Sequence, residues 1–161
     1  MSEYSQKYCL VSLVEPIAEG LIFDYSDWPL HATLADTFSC DLGLILGVGD
    51  IIKNYECITA RGESHQVFGS SDRPTPVILL SKPDKLMQLH NEVMDYLLSN
   101  GAVFNNPEFT KEGFLPHCTV QKNNMINIGD DVALTSISIV DMYVDNDWKK
   151  RKVIKSFDFI H

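Results

Sequence analysis

Two short segments of this 161-residue chain carry the same pattern: a histidine, any residue, a threonine, then an aliphatic side chain. They are His31-Ala32-Thr33-Leu34 and His117-Cys118-Thr119-Val120, in a chain with five histidines in all. The pattern restricts the backbone. In an extended strand, residues i and i+2 point to the same face. Each copy then presents an imidazole beside a hydroxyl, while Ala32 and Leu34, or Cys118 and Val120, turn into a core. Two such strands facing each other across a groove bring together two titratable groups and two hydroxyl donors.

The rest of the sequence sets bounds on that arrangement. The length predicts one domain over 1–161, or two small lobes sharing a core, with enough chain to bury a substantial interior. No apolar run approaches the ~20 residues of a membrane span. The start, MSEYSQKYCLVSLV, has neither the basic n-region nor the small-residue cleavage site of a secretory signal, and Met1 to Lys7 reads as a lead into the first strand. Cys9, Cys40, Cys57 and Cys118 show no CxxC spacing, and three of them sit among apolar residues where a thiol acts as a small hydrophobe. A reduced, cytoplasmic protein with no membrane association is the expectation. With 22 acidic against 13 basic residues the formal charge is −9. That excludes a long nonspecific nucleic-acid footprint, which depends on Lys and Arg neutralising phosphates. A small phosphorylated ligand or a nucleic-acid end stays compatible.

Local patterns give the order of elements. Tyr8 to Val14 reads as a central strand ended by Glu15-Pro16, and a loop with Tyr25, Trp28 and Pro29 leads into the first motif. A helix is expected from Asp41, its N-cap, through LGLILGVGDIIKNY, although Gly43, Gly47 and Gly49 weaken it. Glu56 to Gly69 and Thr75 to Leu80 read as strands around the turn Gly69 to Pro74. Leu86, Leu89, Val93 and Leu97 recur at helical spacing between Pro83 and Asn100, with Gly101 just beyond the end. After a polar loop, Asn105 to Gly113, comes the second motif. Val132 to Val144 and Trp148 to Phe159 read as strands joined by Asp145-Asn146-Asp147. The order repeats loosely after about 86 residues, from His31 to His117.

The residues Leu30 to Ala35 (LHATLA) and Pro116 to Gln121 (PHCTVQ), in opposite halves of the chain, resemble the two-histidine phosphoesterase superfamily, which includes 2′-5′ RNA ligase-like proteins and cyclic phosphodiesterases. The resemblance spans nearly the whole chain. It implies an α+β fold of two pseudo-symmetric lobes, with antiparallel sheets lining a central cleft and helices outside. It also implies that His31 and His117 are catalytic and that Thr33 and Thr119 bind phosphate.

The chemistry of these residue types agrees. Opening a 2′,3′-cyclic phosphate requires a proton to leave the attacking water and another to reach the departing ribose oxygen. Imidazole, titrating near 6.5, can serve either end, and hydroxyls can donate to the non-bridging oxygens. His117 is expected as the base and His31 as the acid. No HExxH, Cys/His cluster or carboxylate set points to a metal, and Gly43 to Gly49 lacks nucleotide-loop spacing, so no cofactor is expected. The expected enzyme is a monomeric, metal-independent phosphodiesterase acting on a nucleotide or an RNA 3′ end.

Two alternatives stand beside it: a 2′-5′ RNA ligase using the same groups, and a non-catalytic RNA-end or nucleotide-binding module. The plain structural alternative to all of these is that His31 and His117 are strand histidines satisfied by neighbouring hydroxyls. Phe114, Trp28 and Tyr25 are candidate base-stacking contacts, with anchoring of their loops as the alternative. Lys122, Arg61 and Arg73 are candidate phosphate contacts. Lys149, Lys150, Arg151 and Lys152 either flank a nucleic-acid end or form a solvated strand edge. His65, His90 and His161 belong to no motif.

Overall fold

A computed structural model describes residues 6–15, 17–121 and 125–160. The described residues form strands β1 (Tyr8–Leu13), β2 (Ile22–Asp24), β3 (His31–Ser39), β4 (Ile58–Gly69), β5 (Pro74–Leu80), β6 (Val103–Phe104), β7 (His117–Thr119), β8 (Asp131–Leu134), β9 (Ser136–Asp141) and β10 (Lys150–Asp158). Helices α1 (Leu42–Ile45), α2 (Gly49–Ile52) and α3 (Asp84–Ser99) complete the set, with short 3-10 turns. Strand order is β2-β10-β9-β1-β3-β7-β5-β4-β8, and β6 pairs with β3. The paired strands run antiparallel.

The fold is the expected α+β type, with one refinement that governs the site. The two motif strands do not face each other across a groove; they are hydrogen-bonded neighbours. β7 is wedged between the halves, pairing Ala32 with Cys118 on one side and Val77, Ile78 and Leu79 with Thr119, Cys118 and His117 on the other. The halves thus meet edge to edge at β3 and β7, flanked by β1 and β5.

Alternation along the strands decides which face is which. Tyr8 and Leu10 of β1, and Ala32 and Leu34 of β3, join a large core with Leu86, Leu89, Val93 and Leu97 of α3. The opposite residues of β1, Cys9, Val11 and Leu13, pack with Val140 and Val153 in a smaller cluster bordered by Trp28 and Met142. Helices therefore cover one face of the sheet, and the motif side chains look out from the other. Of the cysteines, Cys9 and Cys118 are buried, Cys40 half-buried and Cys57 exposed, and all four are free.

Three local expectations change. The Asp41 carboxylate does cap α1, accepting from Gly43 N at 2.8 Å, but the helix is interrupted by a 3-10 turn at Leu46–Val48. A Cβ at Gly47 would overlap the Tyr96 hydroxyl of α3, and one at Gly49 would stand 2.6 Å from the Phe157 ring of β10. These glycines permit close approach rather than a long helix. The strand expected over Val132 to Val144 breaks at Thr135, because β8 pairs with β4 and β9 with β1 in the other half. The basic run is not an open edge: Lys150, Arg151 and Lys152 pair with Asp24, Phe23 and Ile22 of β2.

The turn at Asp145 and Asn146 forms as expected, both residues taking the positive φ (49° and 64°) that tight hairpins favour. Among the described residues no helix is long and apolar enough to cross a membrane.

Candidate active site

The register of one residue pair builds the site. Stepping one residue either way from Ala32–Cys118 puts His31 opposite Thr119 and Thr33 opposite His117. All four side chains lie on the same face of this two-strand ribbon, with the imidazoles on a diagonal. Such diagonal positions stand about 7–8 Å apart, room for a phosphate group between two rings. The four line a cleft of about 490 Å³, whose walls include Trp28, Tyr25, Asp36, Phe68, Phe109 and Gln121.

The two histidines are held alike. His31 Nδ1 lies 2.8 Å from the Pro29 carbonyl oxygen, and His117 Nδ1 lies 2.8 Å from that of Leu115. A carbonyl oxygen only accepts, so Nδ1 carries the hydrogen in both rings and Nε2 is the nitrogen left for a ligand. Each imidazole is also buttressed by an aromatic ring. Trp28 sits 4.4 Å from His31, and Phe68 meets His117 edge-on at 4.9 Å.

No family model matches the chain, and no curated protein matches it in sequence. Solved structures do. A phosphoesterase crystal structure superposes with a TM-score of 0.62 at 14% identity, covering 97% of this chain and 99% of its own. E. coli LigT, crystallised with 3′-AMP, gives 0.60 at 14% identity over 97% and 99% of the two chains. TT0787 of Thermus thermophilus gives 0.60 at 12% identity over 94% and 97%. The chain shares the fold of these phosphoesterase and LigT structures.

Within this fold the cleft is electrostatically asymmetric. Burial drives the His31 pKa down to about 4; its hydrogen bond to Pro29 opposes the fall, and the nearby charge of His117 adds to it. Burial lowers His117 as well, but there the Leu115 carbonyl and the Asp36 carboxylate both favour the protonated ring. Asp36 follows Thr33 by three residues; the corresponding position after Thr119 is Lys122.

The other expected contacts separate. Trp28 and Tyr25 line the cleft on the His31 side. Phe114 also borders it, but the residue is only 4% exposed and one ring face is stacked on His90 at 3.7 Å. It forms a wall, not a rim on which a base could stack. Arg61 lies outside the cleft in an exposed ion pair with Asp131 at 3.2 Å, and Arg73 lies in the exposed turn before β5. Lys122, Pro16 and His161 fall outside the described residues. His65 is exposed on β4.

Sequence reasoning passed over Phe68 and Phe109, whose rings stack at 5.7 Å beside His117. It also passed over Asp36, which accepts a hydrogen bond from Asn106 at 3.4 Å. Phe68 closes a strand and Phe109 lies in a polar loop, so neither belongs to a periodic pattern. Asp36 was findable as an acid on the motif strand itself. Among the described residues, no three His, Cys, Asp or Glu side chains converge as metal ligands would.

Proposed function

We propose that the chain is a metal-independent phosphodiesterase that hydrolyses 2′,3′-cyclic phosphate ends of RNA or related cyclic or 2′-5′-linked nucleotides. One observation carries the reading: the Ala32–Cys118 register sets both imidazoles and both motif hydroxyls on one face, in one cleft. E. coli LigT, which shares the fold, has been crystallised with 3′-AMP, NADP+, ATP and phosphate, which supports a nucleotide as the ligand class here.

The mechanism follows from the fixed tautomers and the asymmetry. Neutral His31 offers the Nε2 lone pair to the attacking water and takes its proton as the new P–O bond forms. Protonated His117 gives its Nε2 hydrogen to the ribose oxygen as the old P–O bond breaks. Thr33 and Thr119 donate to the non-bridging oxygens, where negative charge is held during attack. The ring opens to a phosphomonoester, and the two imidazoles return to their starting states by exchange with solvent. This reverses the roles expected from sequence, because deeper burial favours neutral His31 while Asp36 favours a charge on His117.

The test is turnover of a short RNA ending in a 2′,3′-cyclic phosphate, in EDTA, with the position of the product phosphate identified. Ring opening to a single regioisomer is expected. A protein that binds the cyclic end and leaves it intact would refute catalysis and favour a binding module.

A further inference from the structure

The cleft continues, on its His31 side, into a second aromatic feature that the proposed reaction does not use. Tyr25 lines the cleft, and its ring lies 5.2 Å from that of Trp148, tilted by 54°. Trp148 is outside the cleft lining. The two rings stand on the surface, with Tyr25 43% and Trp148 47% exposed. Lys149 places Nζ 5.8 Å from the Trp148 ring centre. An adjacent exposed pair of large aromatic rings needs a reason, since such surface is costly to leave in water.

The ledge is held in position. Tyr25 N donates to the Lys149 carbonyl at 2.8 Å, tying the two loops together. Arg151 reaches back from β10 to the carbonyls of Met142 and Trp148, while its guanidinium lies 5.9 Å from the Trp28 ring. One half-buried arginine thus braces both the aromatic wall beside His31 and the hairpin that carries Trp148. This is a fixed surface continuous with the cleft.

We infer that Tyr25 and Trp148 form a subsite for the nucleotides next to the reacting end of a single-stranded RNA. Bases stack on the two rings, and Lys149 meets one backbone phosphate. The inference rests on the phosphodiesterase reading for the reacting end and extends it to the nucleotides beside that end. Continuity with the cleft through Tyr25 argues for the strand over a separate partner. Stacking suits this chain: every base has a π-face, so affinity comes without the basic groove that a chain of charge −9 lacks. The local charge is modest, because Lys150 has Asp24 at 4.0 Å. Binding at this ledge is therefore expected to depend only weakly on salt, as for about one neutralised phosphate.

The experiment measures Kd for oligoribonucleotides of one, two and four residues with 3′-phosphate ends, and turnover of the same set with 2′,3′-cyclic ends. Wild type, Trp148→Ala and Trp148→Phe are compared. Affinity and kcat/KM are expected to rise with length in wild type. Trp148→Ala should lose about tenfold on the tetranucleotide with the mononucleotide unchanged, and Trp148→Phe should recover most of that loss. Length-independent binding, or a Trp148→Ala loss equal on all lengths, would overturn the subsite and leave the ledge to a protein partner. Length-dependent binding without any turnover would keep the subsite and sink the catalytic reading.

Discussion

Nε2 of His90 accepts a hydrogen bond from the backbone N–H of Lys111 at 2.9 Å. The other ring nitrogen donates to the Leu34 carbonyl at 2.8 Å. This fully buried side chain on α3 therefore joins the first motif strand to the loop that leads into the second. Lys111 itself takes a positive φ of 56° and pairs with Asp95. The arrangement works only with a neutral ring, since a proton on Nε2 would face the Lys111 N–H donor.

Burial accordingly holds His90 down at about 4, partly opposed by the Leu34 hydrogen bond. Unfolded histidine titrates near 6.5, so between those values the unfolded chain binds more protons than the folded one. Stability must then fall as pH is lowered from 6.5 toward 4, by roughly 3 kcal/mol for a group like this. His31, also near 4, acts in the same direction. Urea midpoints across this range should drop on acidification, with a shallower drop in His90→Gln. A flat midpoint would mean that His90 is protonated in the fold.

Asp36 is expected to set the alkaline limb of the pH–rate profile. In the proposed reaction His117 acts while protonated, so kcat/KM should fall as pH rises through its pKa, which burial holds below the ordinary value. The acid limb, from His31, belongs near 4. The maximum should sit on the acid side of neutrality. Removing the carboxylate in Asp36→Asn withdraws support for the charged ring, so the alkaline limb should move to lower pH while the acid limb moves less. A profile that keeps both limbs in place would separate Asp36 from His117.

Thr33→Val and Thr119→Val preserve shape on the motif strands and delete the hydroxyls. If these groups serve the non-bridging oxygens as charge builds, kcat should fall by about a hundredfold with a smaller change in KM. Steady-state kinetics on the cyclic-ended RNA decide this. A rise in KM with unchanged kcat would assign the threonines to ground-state binding.

Much of the site was legible because it obeys local rules. The two-residue period of a strand puts His31 beside Thr33 and His117 beside Thr119 without any tertiary knowledge. The spacing of Leu86, Leu89, Val93 and Leu97 marks α3, and Asp145-Asn146 marks its turn. What was not legible depends on pairing between distant segments. Nothing near Thr135 announces that the chain leaves β4 for β1, and three-residue β2 is too short to carry a pattern. The choice between base contact and loop anchor at Phe114 is settled only by its burial against His90, which joins residues far apart in sequence. The proposed division of labour between the histidines is likewise hidden in the sequence, since the motifs are alike and burial and Asp36 distinguish the two rings.

In the proposed reaction His31 and His117 act as one catalytic unit on a shared face of β3 and β7. The most direct test is kcat/KM for wild type, His31→Ala, His117→Ala and the double variant on one cyclic-ended RNA, with folding checked by circular dichroism. Each single variant should lose a hundred- to ten-thousandfold, and the double variant little more than the worse single one. Losses that multiply in the double variant, or a single variant that keeps wild-type turnover, would contradict the account.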